Sequence, residues 1–234
     1  EMFLWRQWAA HAVAGHVRQV VETFHAHDPE RTVLAHAGFC GILQDPVCDT
    51  NDDLLTAAAA DQYGTSFPVN LWPTKPAHEA EADLISDWLR RVDPDFWCHE
   101  FYPNQTAWCR PPEPRTLNRL VWMALAGGTA GMTFWQFRSE RLGDESNGWG
   151  MREINGTPTP RSDVCDKIAG VLKQHGAKLA ESRRLPARVA LLYSRDSDLL
   201  GRIERMAFDE PDPRNARERT DYPYKRAILS LIHI

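Results

Sequence analysis

Several features that identify particular classes of protein are missing from this 234-residue sequence. It has no excess of basic charge, because 27 Lys and Arg against 32 Asp and Glu give a formal net charge of −5. Binding to a nucleic acid backbone needs a basic face, so we expect no nucleic acid partner. No apolar run approaches the length of a membrane-spanning helix, so we expect no membrane partner either.

Cysteine is scarce and unpatterned. The five cysteines are odd in number and show neither C-x-x-C spacing nor histidines at zinc-finger distances. We interpret them as buried or incidental thiols in a reducing compartment and predict a cytoplasmic location. These 234 residues contain no signal-peptide pattern, and the sequence opens on Glu1 within a predicted helix, without an initiator Met. We therefore expect the true N-terminus to lie upstream.

Apolar residues are present in two alternating patterns. Helical spacing predicts helices over 5–24, 57–63, 79–91, 115–127 and 163–179, the last capped by Asp163. Short apolar runs predict strands over 32–36, 66–72 and 132–137, with another in the aromatic stretch 95–108. Strands that alternate with helices indicate an α/β fold with a parallel sheet. Four such units make half of a (β/α)₈ barrel.

Glu100 is a carboxylate at the end of the aromatic run. Burying a carboxylate is costly unless it is paired or has chemistry to perform. Catalytic groups project from strand ends in α/β barrels. We therefore predict that Glu100 is the nucleophile of a sugar-cleaving enzyme, with half of a buried ion pair as the alternative. His36 and His99 flank strand ends, and we interpret them as core or hydrogen-bonding residues, so no metal is predicted.

The surroundings of Glu100 resemble glycoside hydrolase family 42, the β-galactosidases. The resemblance lies in Trp108 eight residues after Glu100, in the strand 134–138 (F-W-Q-F-R), in G-D-E at 143–145 and in the loop 61–68. It covers residues 1 to about 200. It implies the C-terminal half of a (β/α)₈ barrel followed by the start of a second α/β domain.

The resemblance also implies the domain boundaries. Residues 1–184 would carry barrel strands five to eight, and residues 185–234 would begin an α/β domain of the trimerisation type, opening on a predicted strand over 188–193. Residues 229–234 resemble translated sequencing-adapter sequence, and we predict that they are an artefact. The resemblance further implies a homotrimer, a galactoside as substrate and no organic cofactor.

The family's mechanism carries over to one residue here. Family members retain anomeric configuration, with a nucleophilic Glu after strand seven, which corresponds to Glu100. Retention uses two carboxyl groups roughly 5–5.5 Å apart. The resemblance places the acid/base residue upstream of this sequence, so we expect the 234 residues alone to be inactive.

Four further residues are implied as substrate-binding. Trp108 would form the floor of the galactose site through apolar contact with the sugar ring. Glu145 would bind sugar hydroxyls, and Phe67 and Arg138 would line the site. For each, a structural role in the core, in a solvated loop or in an ion pair is the alternative. Gly148 stands where many members carry a sugar-contacting His. Another barrel glycosidase, acting on β-mannosides, arabinosides or algal galactans, and a non-catalytic sugar-binding barrel therefore stay open.

Overall fold

The computed structural model describes residues 1–38, 40–67, 78–103, 112–143, 145–146, 148–183, 185, 188, 190 and 192–206. Within them the helices are α1 (Met2–His27), α2 (Asp53–Ala57), α3 (His78–Val92), α4 (Pro114–Gly127), α5 (Pro160–Ala180) and α6 (Arg195–Met206). The strands are β1 (Leu34–Ala37), β2 (Gln62–Phe67), β3 (Trp97–Phe101) and β4 (Gly131–Phe134). None of the helices in this described part combines the length and apolarity needed to cross a bilayer.

The four strands form one sheet in the order β1-β2-β3-β4. β1 and β2 run parallel, with Leu34 opposite Gln62 and Ala37 opposite Thr65. Helices separate successive strands along the chain, as parallel connections require. The predicted α/β class is therefore confirmed. Because consecutive strands lie side by side, residues at their carboxyl ends meet at one edge of the sheet, where barrel enzymes place their active sites.

The chain divides into two compact units, of which the first comprises Glu1–Thr65, Asp87–Trp97 and Val189–Ile234. Asp53 of this unit is 2% exposed. Asp53 accepts hydrogen bonds from Tyr63 Oη (2.6 Å), Trp88 Nε1 (2.5 Å) and the Gly41 amide (2.7 Å). Burial raises the pKa of Asp53 although these hydrogen bonds oppose it. The network joins the loop after β1 to β2 and α3.

Helix α6 belongs to the same unit. The buried guanidinium of Arg202 lies 2.8 Å from the equally buried Asp45 carboxylate. Upstream of the helix, the Tyr193 ring packs edge-on against Trp88 at 5.0 Å, and its hydroxyl donates to Asp198. The domain boundary at residue 185 stays a prediction.

The second unit comprises Ser66–Ser86 and Cys98–Arg188. Leu117 and Leu120 of α4 are fully buried. Gly127, the last residue of α4, leaves room for Ser86 of α3, since a Cβ at Gly127 would lie 2.5 Å from Ser86 Cβ. Gly128 then ends the helix at φ 99°, a left-handed conformation that glycine adopts readily. The predicted end of this helix at residue 127 is confirmed.

Three local predictions are wrong. Of the helix predicted over 57–63, residue 57 ends α2 and residues 62 and 63 begin β2, because residues 62–65 pair in parallel with β1 and residues 63–67 are buried. Helix α5 begins at Pro160 and is capped by Thr159 rather than Asp163. In the strand predicted over 188–193, the described residues 188, 190, 192 and 193 carry no strand. Helix α6 was not predicted.

Candidate active site at the ends of β2, β3 and β4

Glu100 lies at the end of β3 and is partly buried. Its Oε2 atom accepts a 2.6 Å hydrogen bond from Ser66 Oγ and a 2.7 Å hydrogen bond from Tyr102 Oη. Ser66 belongs to β2, and Tyr102 follows β3 by one residue. Hydroxyl hydrogen bonds to a carboxylate are short and strong. Two of them on one oxygen fix the orientation of the Glu100 side chain.

Tyr102 is held firmly in turn. It is 7% exposed, and its ring lies 4.8 Å from the ring of Trp149 at an angle of 45°. Burial, reinforced by the adjacent Glu100 carboxylate, raises the pKa of the Tyr102 hydroxyl above its ordinary value. Tyr102 therefore stays protonated and remains a donor to Glu100 at neutral pH.

Trp149 is itself unusual. It is 5% exposed and adopts φ 62°, which is uncommon for a residue with a side chain. Within the described residues, its buried Nε1 has no hydrogen-bond partner. Such a donor is costly to leave unsatisfied. Because Trp149 packs on Tyr102, we assign this indole to the surroundings of the Glu100 site.

Phe67 lies in the core beneath the site. Its ring is fully buried and stacks on Phe101 at 5.6 Å and 17°. Phe101 in turn meets Phe134 of β4 at 5.7 Å and 66°. These aromatic contacts join the ends of β2, β3 and β4. The implied role of Phe67 in substrate binding stays a prediction.

Glu145 is connected to the end of β4. The Nε1 atom of Trp135, the residue directly after β4, donates to Glu145 Oε2 at 3.2 Å. Trp135 is 38% exposed. Its backbone amide also donates to the carbonyl of Phe101 at 2.9 Å, and Phe101 is the residue directly after Glu100. A second carboxylate is thus positioned by the strand that neighbours the strand of Glu100.

Arg138 is exposed and forms a backbone bridge with Arg152. The Arg152 guanidinium lies 5.4 Å above the Phe137 ring. An open cavity of about 560 Å³ is lined by Gln136, Phe137, Arg138, Arg152 and Gly156. The structure places Arg138 at this cavity, and its role in substrate binding stays a prediction.

The remaining implied residue, Trp108, lies outside the described residues. The sequence did not single out Ser66, Tyr102, Trp135 or Trp149 as site residues. The sequence positions of two of them could have indicated the site: Tyr102 is two residues after Glu100, and Trp135 lies within a predicted strand. Across the described ranges, no group of three or more His, Cys, Asp or Glu side chains could hold a metal ion.

The fold is shared with three solved structures of β-galactosidases. One from the Antarctic haloarchaeon Halorubrum lacusprofundi matches with a TM-score of 0.76 and 16% identity over 99% of this chain and 34% of its own. One from Bacillus circulans sp. alkalophilus matches with a TM-score of 0.71 and 16% identity, over 84% of this chain and 29% of its own. A catalytic mutant from G. stearothermophilus matches with a TM-score of 0.71 and 14% identity, over 97% of this chain and 32% of its own.

This chain spans about a third of the length of those structures. The search of curated proteins gave no match. The family model described as beta-galactosidase, of glycoside hydrolase family 42, matches residues 2–174. That match covers most of the sequence, and the chain therefore belongs to glycoside hydrolase family 42.

Proposed function

We propose that the full-length protein containing these residues hydrolyses terminal β-D-galactosides with retention of configuration, and that Glu100 is its nucleophile. The observation that carries the proposal is the Glu100 carboxylate at the end of β3, oriented by hydrogen bonds from Ser66 and Tyr102. Membership of family 42 supports it. The structural neighbours are β-galactosidases by name, which supports the choice of substrate.

In the first step, a Glu100 oxygen attacks the anomeric carbon while the bond to the leaving oxygen breaks. A second carboxylic acid gives its proton to that leaving oxygen. In the second step, the second carboxyl group, now ionised, accepts a proton from water. The water attacks the anomeric carbon, and Glu100 departs. In this proposal the second carboxyl group belongs to the fourth strand of the complete barrel.

Sugar recognition is assigned to residues around Glu100. Glu145, held by Trp135, would accept hydrogen bonds from sugar hydroxyls, and Trp108 would offer a flat surface to the apolar face of galactose. Interactions of this kind raise kcat when they strengthen in the transition state.

We further propose that the full-length protein is a homotrimer and that it is located in the cytoplasm. Analytical ultracentrifugation of the full-length protein would test the first proposal, and cell fractionation would test the second.

Azide rescue of the full-length protein tests the nucleophile. We expect Glu100→Ala to abolish turnover of dinitrophenyl β-D-galactoside, whose leaving group needs no acid. Azide, which fits the vacated space, should restore turnover and yield the α-galactosyl azide. Glu145→Ala is the matched carboxylate control, and azide should not restore its activity.

Either of two results would overturn the assignment: substantial turnover by Glu100→Ala without azide, or rescue that yields the β-azide. A parallel panel of aryl β-mannoside and α-arabinoside substrates tests the sugar. If either substrate is hydrolysed faster than the galactoside, the proposed preference for galactosides is wrong.

A further inference from the structure

The cavity of about 560 Å³ just after the end of β4 lies in the same unit as Glu100. Its volume is in the range of small-molecule binding sites. Its wall begins with Gln136, the residue directly after Trp135, and Trp135 holds Glu145, to which we assign sugar binding. Consecutive residues are only about 3.8 Å apart. The cavity is therefore placed to receive the sugar unit that is linked to galactose.

A backbone ladder carries the side chains that line this cavity. Three hydrogen bonds join its two segments: from the Gln136 amide to the Trp149 carbonyl (3.0 Å), from the Met151 amide to the Gln136 carbonyl (2.7 Å) and from the Arg152 amide to the Phe137 carbonyl (2.9 Å). Side chains on a scaffold of this kind are already in position, so little ordering is needed when a ligand binds.

Two guanidinium groups line the cavity. Arg138 and Arg152 are partners in a parallel bridge of the ladder, so they occupy neighbouring positions on it. Among the described residues, Arg138 has no carboxylate partner. Arg152 lies 3.7 Å from Asp166, whose side chain is 67% exposed, and such a long, solvated ion pair is weak. The two positive charges repel each other, and an oxyanion between them would remove that repulsion and accept hydrogen bonds from both.

An aromatic ring accompanies the two charges. Phe137 is 65% exposed, and the Arg152 guanidinium lies 5.4 Å from its ring centre. An exposed ring offers a flat apolar surface to the C–H groups of a sugar. A guanidinium stacked on an aromatic ring keeps its N–H groups free for a carboxylate or a sulfate. The lining therefore fits a sugar unit that carries a negative charge.

We propose that this cavity binds the sugar unit next to galactose in the substrate, and that this unit carries a carboxylate or a sulfate group. The inference rests on the proposed function, because it takes galactose to lie at Glu100. Arg138 and Arg152 bind the oxyanion, and Phe137 contacts the sugar ring. The substrate class is therefore that of acidic galactosides, in which galactose is linked to a uronic acid or to a sulfated sugar.

Three disaccharides that differ at one carbon test the inference on the full-length protein. They are lactose, the same disaccharide with glucuronic acid in place of glucose, and lactose with a sulfate on C6 of its glucose unit. At low salt we expect kcat/KM for at least one acidic disaccharide to exceed that for lactose about tenfold, the effect of one hydrogen bond between charged groups. The better of the two identifies the oxyanion. The preference should shrink between 0.01 M and 1 M salt, because the screening length falls from about 30 Å to about 3 Å.

Variants connect the preference to the cavity. Arg152→Gln should remove most of it, and Arg152→Lys, which keeps the charge without the bidentate geometry, should retain part of it. Phe137→Ala should lower kcat/KM about 3–10-fold for all three disaccharides alike, because ring contact does not depend on the charge. Arg183→Gln is the matched control, because this exposed arginine lies beyond the far end of α5, which is about 30 Å long. It should keep the full preference.

Calorimetric titration separates this inference from the proposed function, because binding to the Glu100→Ala variant needs no turnover. We expect the preferred acidic disaccharide to bind this variant about tenfold more tightly than lactose, and the addition of Arg152→Gln to remove the difference. Hydrolysis of lactose with no preference for either acidic disaccharide, or a preference that survives in Arg152→Gln, would overturn the inference and leave the proposed function standing. Failure to hydrolyse any galactoside, with the binding preference intact, would refute the proposed function and leave the oxyanion site standing.

Discussion

The indole Nε1 of Trp135 donates a 3.2 Å hydrogen bond to Oε2 of Glu145. One residue sits directly after β4 and the other in the loop that follows, so the strand end sets the position of a loop carboxylate. If Glu145 binds sugar hydroxyls, Trp135→Phe should lower kcat/KM for an aryl β-galactoside about tenfold, the loss of one hydrogen bond to a charged group. Steady-state kinetics of the full-length protein measure this.

Trp8→Phe is the control for that prediction, because Trp8 is 65% exposed on α1, in the other unit. Its kcat/KM should stay unchanged. Full activity in Trp135→Phe would show that the Trp135 hydrogen bond to Glu145 has no part in substrate recognition.

The close approach of α3 and α4 depends on Gly127. A Cβ at this position would lie 2.5 Å from Ser86 Cβ, far closer than van der Waals contact. We therefore expect Gly127→Ala to destabilise the protein by about 1–3 kcal/mol, as overpacking of a core does. Denaturant unfolding of the variant and the parent protein measures the difference.

Two further variants make this prediction specific. Ser86→Gly removes the side chain that a Cβ at Gly127 would meet, so adding it to Gly127→Ala should recover part of the loss. Gly176→Ala, within α5 where nothing lies within 4 Å of the added Cβ, should be neutral or stabilising by about 0.4–1 kcal/mol. Equal effects of Gly127→Ala and Gly176→Ala would contradict the packing argument.

The sequence predicted what depends on local pattern. Amphipathic spacing located α3 and α4 to within one residue, and an apolar run that ends in a carboxylate singled out Glu100. It could not predict that Ser66 reaches Glu100, because that contact depends on how β2 and β3 align, 34 residues apart along the chain. The helix predicted over 57–63 is wrong for a similar reason, because residues 62 and 63 pair with Leu34 and Ala35 of β1.

Thr159 rather than Asp163 caps α5. The Thr159 side chain accepts a hydrogen bond from the Ser162 amide at 3.1 Å, and Ser162 Oγ accepts one from the Thr159 amide. We expect Thr159→Ala to cost about 1 kcal/mol of unfolding free energy, the usual effect of losing an N-cap. Asp163→Ala, in the first turn, should cost less. A larger loss of unfolding free energy in Asp163→Ala than in Thr159→Ala would support Asp163 as the cap, as the sequence predicted.

Asp53 should be the most sensitive polar residue of the first unit. Asp53→Ala would leave buried donors on Tyr63, Trp88 and Gly41 without their acceptor. Breaking such a network is expected to cost at least about 3 kcal/mol. Asp53→Asn keeps the shape and one acceptor oxygen and should cost less. Thermal and denaturant unfolding of the two variants rank them.

The pH dependence of stability provides an independent test of the Asp53 environment. Burial raises the pKa of Asp53, so the folded protein keeps this proton at pH values where the unfolded chain has lost it. The contribution of Asp53 is therefore complete below the unfolded pKa of about 3.9, and it decreases as the pH rises toward the folded pKa. The Asp53→Asn variant does not titrate at this position. Its disadvantage relative to the parent protein should shrink as the pH rises from about 4. A disadvantage that grows with pH would mean that the hydrogen bonds to Asp53, rather than its burial, dominate its ionisation.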